Sequence, residues 1–261
     1  MKIVMVGPVY PYKGGIAHYM GMMCKTFAKK HEVIALSYKM QYPKFMYKKE
    51  QKDYESDTFK VDGTNYCINT ANPFNWVHVA KKINKLSPDL VVFQWWHPYF
   101  APCYQIICSL LKTKEILFVC HNVFPHERFP MDRLLTQATL KKGKYYIVHS
   151  KLDEVDLLSV KKDARYKKAV IPTYNVFNKS QLEKDDARKI LNVAQNEFVL
   201  LFFGLIREYK GLKYLLKALS IIKNKIPNVK LYIVGDFGGE KDHYLKIIKD
   251  LNIENYILIE D

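Results

Sequence analysis

The sequence predicts a doubly wound α/β architecture: parallel sheets covered by helices, in two successive domains at residues 1–175 and 176–261. Three observations carry this. Short apolar runs alternate with stretches of helical spacing, the strand-like runs are apolar throughout, and the pattern restarts after a polar, charged stretch at 178–194. Strands alternating with helices point to β-α-β units, because parallel neighbours need a crossover connection. Strands without polar alternation fit a sheet covered on both faces.

Residues 3–6 open the chain as a buried strand. Ile16, Tyr19, Met20, Met23 and Phe27 recur at helical spacing and predict a helix over 16–30. A strand at 32–37 follows, then a helix over 73–86 that stops at Ser87-Pro88. Strands at 90–94, 116–120, 145–149 and 169–171 are separated by helices at 101–112, 132–141 and 152–160. In the second domain a helical stretch near 185–191 precedes strands at 198–203, 229–234 and 256–259, with helices at 212–224 and 243–251. A last parallel strand with no helix after it leaves one sheet face bare, so this domain reads as incomplete.

At 261 residues and 49% hydrophobic, the chain can build one large or two modest cores. Glycine and proline are not enriched and no repeat or low-complexity tract occurs, which argues against extensive disorder. The net charge of +15 favours anionic partners: phosphorylated small molecules, an acidic membrane surface or nucleic acid. No recognition motif accompanies the charge, so nucleic acid is not an expected partner. Many lysines simply solvate helix faces. The five cysteines are odd in number and lack Cys-x-x-Cys spacing, so a disulfide framework or zinc site is not expected and a reduced, cytoplasmic compartment is. The N-terminus reads as a strand rather than a signal peptide. The most apolar later stretch, 101–111, falls far short of the ~20 residues that span a bilayer. The expected protein is soluble, or peripheral at the inner face of the cytoplasmic membrane.

Three strand-to-helix loops could carry chemistry. In the first, Gly14 and Gly15 precede a helix, where backbone can approach a ligand closely and the helix start favours phosphate. The spacing matches neither a dinucleotide fingerprint nor a Walker loop, and a plain tight turn is the alternative. In the second, His121 follows a buried strand directly, with His126 and Glu127 in the same loop. His121 there can donate to a sugar hydroxyl or phosphate or exchange a proton near neutral pH; the alternative is a core or capping histidine. In the third, Arg207, Lys210 and Gly211 sit at a helix start, the elements of a diphosphate clamp, or of a solvated basic loop. Such a clamp would stabilise a leaving diphosphate.

Other features are less specific. Trp95 and Trp96 form either a sugar-stacking or membrane-facing wall or packing under a loop. The Tyr/Lys-rich stretch 38–54 suits either acidic lipid or solvent. No Asp-x-Asp motif and no metal-ligand spacing occurs, so neither a metal nor another cofactor is expected.

Seven segments in register carry a resemblance: GPVYPYKGGIAHY at 7–19, QYPKF at 41–45, FQWWHPYFAP at 93–102, HNVFPHE at 121–127, YIVHS at 146–150, FFGLIREYKGLKYLLKAL at 202–219 and LYIVGD at 231–236. Together the chain resembles glycosyltransferase family 4, retaining enzymes of the GT-B fold, and within it bacterial enzymes of cell-surface polysaccharide synthesis. The resemblance implies two Rossmann-like domains facing across a cleft, the first binding the acceptor and the second a UDP- or GDP-sugar. It implies that Gly14 and Gly15 lie against the donor diphosphate, that His121 sits by the transferred sugar, and that Arg207 and Lys210 hold the phosphates. It also implies a carbohydrate or lipid-linked acceptor, placed here toward Trp95, His126 and Glu127. Two departures stand out. The arginine that in many relatives directly follows the glycine matching Gly204 is replaced by Leu205, with Arg207 two places on. The later pair of glutamates separated by seven intervening residues, which binds ribose and sugar in the family, is missing. A truncated, inactive remnant or a non-catalytic acceptor- or membrane-binding module is therefore the competing expectation.

Overall fold

The apolar runs become the central strands of two parallel sheets in a computed structural model that describes residues 1–47, 50–55, 57–174 and 182–260. The chain divides into two compact units, 1–176 and 177–261.

The first unit holds β1 (Lys2–Val6), β2 (Glu32–Met40), β3 (Asn65–Asn69), β4 (Leu90–Trp95), β5 (Ile116–Cys120), β6 (Tyr145–Val148) and β7 (Arg165–Lys168), all parallel, in the order β3-β2-β1-β4-β5-β6-β7. The order reverses between β1 and β4. In open α/β sheets, ligands bind outside the carboxyl ends of the strands at such a point.

Five helices cover this sheet: α1 (Gly15–Ala28), α2 (Pro73–Leu86), α3 (Ala101–Leu110), α4 (Asp132–Leu140) and α5 (Lys151–Val160). Successive strand residues face opposite sides. Val4, Val6, Phe93 and Phe118 therefore pack on one face with Val79 and Ile83 of α2 and Tyr104 and Ile107 of α3. Ile3, Met5, Val92 and Val119 pack on the other with Tyr19, Met20 and Cys24 of α1. Side-chain caps fix the helix starts. Asn72 accepts from the Asn75 amide at 3.2 Å ahead of Pro73, and Ser150 accepts from the Asp153 amide at 3.0 Å.

Both strand errors of the sequence reading fall on the sheet edges. Asn65–Asn69 was not expected as a strand, and the last strand is Arg165–Lys168 rather than 169–171. An edge strand buries little and is kept polar, so it carries no apolar run. The apolar Val170 that suggested the later position is 89% exposed.

The second unit holds α6 (Lys184–Ile190), β8 (Phe198–Phe203), α7 (Leu212–Ile222), β9 (Val229–Val234), α8 (Lys241–Asp250) and β10 (Ile257–Glu260). The three strands are parallel in the order β10-β9-β8. Leu212, Leu216 and Leu219 of α7 and Tyr244 and Ile248 of α8 pack on Val229, Leu231 and Ile233. On the opposite face Leu201 and Phe203 are 63% and 75% exposed. Within the polar stretch 178–194, residues 178–181 lie outside the described residues, as does Asp261, and α6 buries none of its own.

The five cysteines are unpaired thiols. Burial raises the Cys24 thiol to about 12 and pushes Cys103, Cys108 and Cys120 up as well, so these act as packing groups rather than nucleophiles.

Candidate functional site

The carboxyl ends of β1, β4, β5 and β6 gather the first set of predicted residues. After β1 the chain runs through Gly7 to Gly14, whose φ of 101° and ψ of 165° belong to a region essentially reserved for glycine, and α1 begins at the next residue. The doublet is exposed and lines a cavity of about 190 Å³ with Lys13, Gln41, Tyr42, Gln51 and Trp96. Polar bonds brace its far wall: Gln51 Oε1 accepts from the Tyr42 amide at 3.1 Å, Gln51 Nε2 donates to the Tyr42 carbonyl at 3.0 Å, and Trp96 Nε1 donates to the Tyr42 hydroxyl at 3.1 Å.

His121 leaves the end of β5 half-buried. Its Nε2 lies 2.8 Å from Gln94 Oε1, which fixes the proton on that nitrogen. Tyr19 meets the ring edge-on at 5.1 Å, and His149 stands 5.6 Å away. Burial first, then the neighbouring His149, pulls His121 down to about 3. The ring is thus neutral at physiological pH, and the expected proton exchange near neutrality is corrected to a hydrogen-bonding role. Asp153 positions the loop from α5, its Oδ1 accepting from the Val123 amide at 3.0 Å.

Three residues here escaped the sequence reading as site residues: Tyr19, Gln94 and His149. His149 donates from Nδ1 to the Ala169 carbonyl at 2.8 Å, leaving its Nε2 lone pair buried with no protein partner, as is Gln94 Nε2. Their signal was positional. Gln94 and His149 stand at or just past the carboxyl ends of β4 and β6, either side of β5 and His121, but strand order is needed to see that.

Trp95 is corrected outright. It is fully buried in the core, its Nε1 donating to the Val123 carbonyl at 3.1 Å, so it cannot stack on a sugar. Trp96 lines the glycine cavity instead. His126 and Glu127 are exposed farther along their loop and line neither that cavity nor the larger one described below.

The second unit builds its own loop at the carboxyl end of β8. The Gly204 amide donates to Val234 at 2.9 Å and the Ile206 amide to Asp236 at 2.8 Å, so the loops after β8 and β9 are tied together. Ile206 anchors the loop in the core. Glu208–Lys210 make one 3₁₀ turn, and Gly211, with φ 79°, ends it and starts α7. Arg207 Nη1 lies close over Gly238, and Lys210 Nζ reaches back over Gly204. Both cations are exposed, and neither pairs with a carboxylate among the described residues; Glu208 pairs with Lys213 instead. Arg207, Lys210 and the start of α7 thus all follow β8 at its carboxyl end, residue types suited to phosphate. No group of three or more metal-ligating side chains occurs among the described residues.

With this geometry in view, residues 183–259 match the family model for Glycosyl transferases group 1. An uncharacterized glycosyltransferase of Methanocaldococcus jannaschii is 27% identical over 198 residues, which are 69% of this chain and 47% of that protein. A lipopolysaccharide 1,2-N-acetylglucosaminetransferase of Salmonella typhimurium is 38% identical over 71 residues, 26% of this chain and 19% of that protein. The chain thus spans less than half the length of these curated relatives. Among solved structures, Anabaena HepE in complex with UDP-glucose superimposes with a TM-score of 0.71 at 17% identity, covering 100% of this chain and 69% of that one. WaaG, a glycosyltransferase involved in lipopolysaccharide biosynthesis, gives 0.62 at 13%, covering 99% and 69%. The UDP-GlcNAc 2-epimerase of Neisseria meningitidis gives 0.58 at 12%, covering 100% and 72%. The fold is therefore the α/β GT-B fold, shared by transferases and epimerases.

Proposed function

We propose that this chain carries the sugar-nucleotide machinery of a glycosyltransferase. In this reading the protein moves a sugar from a UDP- or GDP-sugar to a carbohydrate or lipid-linked acceptor, with retention of configuration, in building surface polysaccharide. The second unit serves the donor and the first the acceptor.

The observation that supports it most is the pair Arg207 and Lys210, without carboxylate partners among the described residues, beside the start of α7. Free cations at a helix start hold a diphosphate and neutralise the charge that develops on it as the glycosidic bond breaks. Charge neutralisation then falls to side chains and helix ends rather than to a metal. His121, its Nε2–H held by Gln94 Oε1, keeps Nδ1 as an acceptor for a sugar hydroxyl.

The test is a screen of UDP- and GDP-sugars with the full-length protein, scoring nucleotide release, the anomeric configuration of any product, and C2 epimerisation, since epimerases share the fold. Donor-dependent transfer that collapses in Lys210→Ala supports the reading. Epimerisation without transfer, or turnover unchanged in Lys210→Ala, overturns it. Donor binding without any turnover would instead favour a non-catalytic module.

A further inference from the structure

A second cavity of the first unit, about 580 Å³, is walled almost entirely by carbon. Phe45, Met46, Trp76, Tyr99, Phe129 and Leu135 form most of its lining. The polar atoms nearby are already engaged. Tyr99 hydroxyl and Thr70 Oγ1 are 2.8 Å apart, Thr70 donates to the Gln41 carbonyl at 2.7 Å, and Trp76 Nε1 donates to the Asn69 carbonyl at 2.8 Å. His97 Nδ1 accepts from the Tyr99 amide at 3.1 Å, its ring stacked on Phe129. Burial also holds the His97 imidazole below its ordinary value, so this wall is uncharged at neutral pH. A cavity of this size and polarity suits a ligand with an apolar body.

Its position says more. One segment, residues 42–47, separates it from the glycine cavity: Tyr42 and Tyr47 line the polar side, and Pro43, Phe45 and Met46 the apolar side. Phe45 is 81% exposed and Met46 52%, at the mouth of the apolar side. Lys13 lines the polar cavity and supplies it with a positive charge suited to an anionic head group.

We infer that the two cavities take one amphiphile: a single hydrocarbon chain in the apolar cavity, with its anionic or sugar head group across the 42–47 segment beside Gly14 and Gly15. Calling that amphiphile the acceptor rests on the transferase reading; its binding does not. The occupant is one lipid chain lying in an open apolar groove, not a bilayer surface.

The experiment is calorimetric titration of the full chain with decyl, octyl and hexyl phosphate below their micelle concentrations, with inorganic phosphate as the tailless arm and phosphatidylglycerol vesicles as the bilayer arm; no donor is present. Saturable binding of decyl phosphate is expected, with affinity falling by up to about fourfold per methylene removed. Ala71→Trp, which fills the cavity from an exposed position, and Phe45→Asp should each weaken it tenfold or more at unchanged melting temperature. Absence of saturable binding, equal affinity for inorganic phosphate, binding to vesicles alone, or full retention in both variants would overturn the inference. Because no turnover is read, failure here leaves the transferase reading standing, and failure of transfer leaves this one standing.

Discussion

His121 Nε2 lies 2.8 Å from Gln94 Oε1, joining the ends of two adjacent parallel strands, β5 and β4, through their side chains. This bond spends one ring N–H on the protein and leaves the other nitrogen to whatever enters the crevice. A Cβ on Gly7 would stand 2.5 Å from Gln94 Cγ, so the glycine at the end of β1 leaves the room that Gln94 occupies.

The first prediction concerns pH. His121 is held near 3 in the folded chain, against an ordinary value of 6.5. Between those values the unfolded chain binds the proton and the folded chain does not, so stability is full above about pH 6.5 and falls as pH drops toward 3. The slope from this group approaches about 1.4 kcal/mol per pH unit. His121→Gln should lose that contribution, seen in urea unfolding between pH 7.5 and 4. His18 and His97 shift in the same direction and remain as background in both proteins. Equal slopes in the two proteins would count against the buried, neutral assignment.

The glycine doublet should respond unequally. Gly14→Ala forces a side chain into a strained backbone region, although nothing lies within 4 Å of the new Cβ, and should cost about 1–3 kcal/mol or remodel the loop. Gly15→Ala starts a helix in ordinary backbone and meets only the Tyr174 hydroxyl at 4.0 Å, so it should be nearly neutral. Chemical denaturation of the two variants side by side measures the difference.

The two indoles separate packing from binding. Trp95→Ala should destabilise by about 3–5 kcal/mol through the cavity it leaves. Trp96→Ala should cost less and instead weaken ligand binding at the glycine cavity. Thermal melts with paired titrations distinguish them, and a larger stability loss at Trp96 would contradict the assignment.

The cation pair bears on rate. On the proposed transferase reading, Lys210→Ala and Arg207→Ala should each lower kcat about 10²–10³-fold, with a smaller change in donor KM, since a clamp's charge matters most as a diphosphate leaves. Glu208→Gln is the control: its exposed pair with Lys213 should leave kcat within about twofold. Steady-state kinetics on the full-length protein decide it, and equal losses in all three would point to a folding defect.

The central strands were legible because a strand buried on both faces must be apolar at every position, as in Val91, Val92 and Phe93. The edge strands β3 and β7 were not, because an edge buries too little to leave a pattern. The three strand-to-helix loops carrying Gly14, His121 and Lys210 could be read from residue type alone, since each follows an apolar strand and precedes a helix.

What the sequence settled by itself was therefore the layered α/β architecture and which loops crown the strands, both consequences of local periodicity. Which of two adjacent tryptophans faces the cavity, that His121 is neutral, that Gln94 and His149 flank it, and that residues 42–47 divide a polar cavity from an apolar one were decided by strand order and packing. Those depend on neighbours tens of residues away in the chain, and no local pattern encodes a distance between such neighbours or the burial they impose.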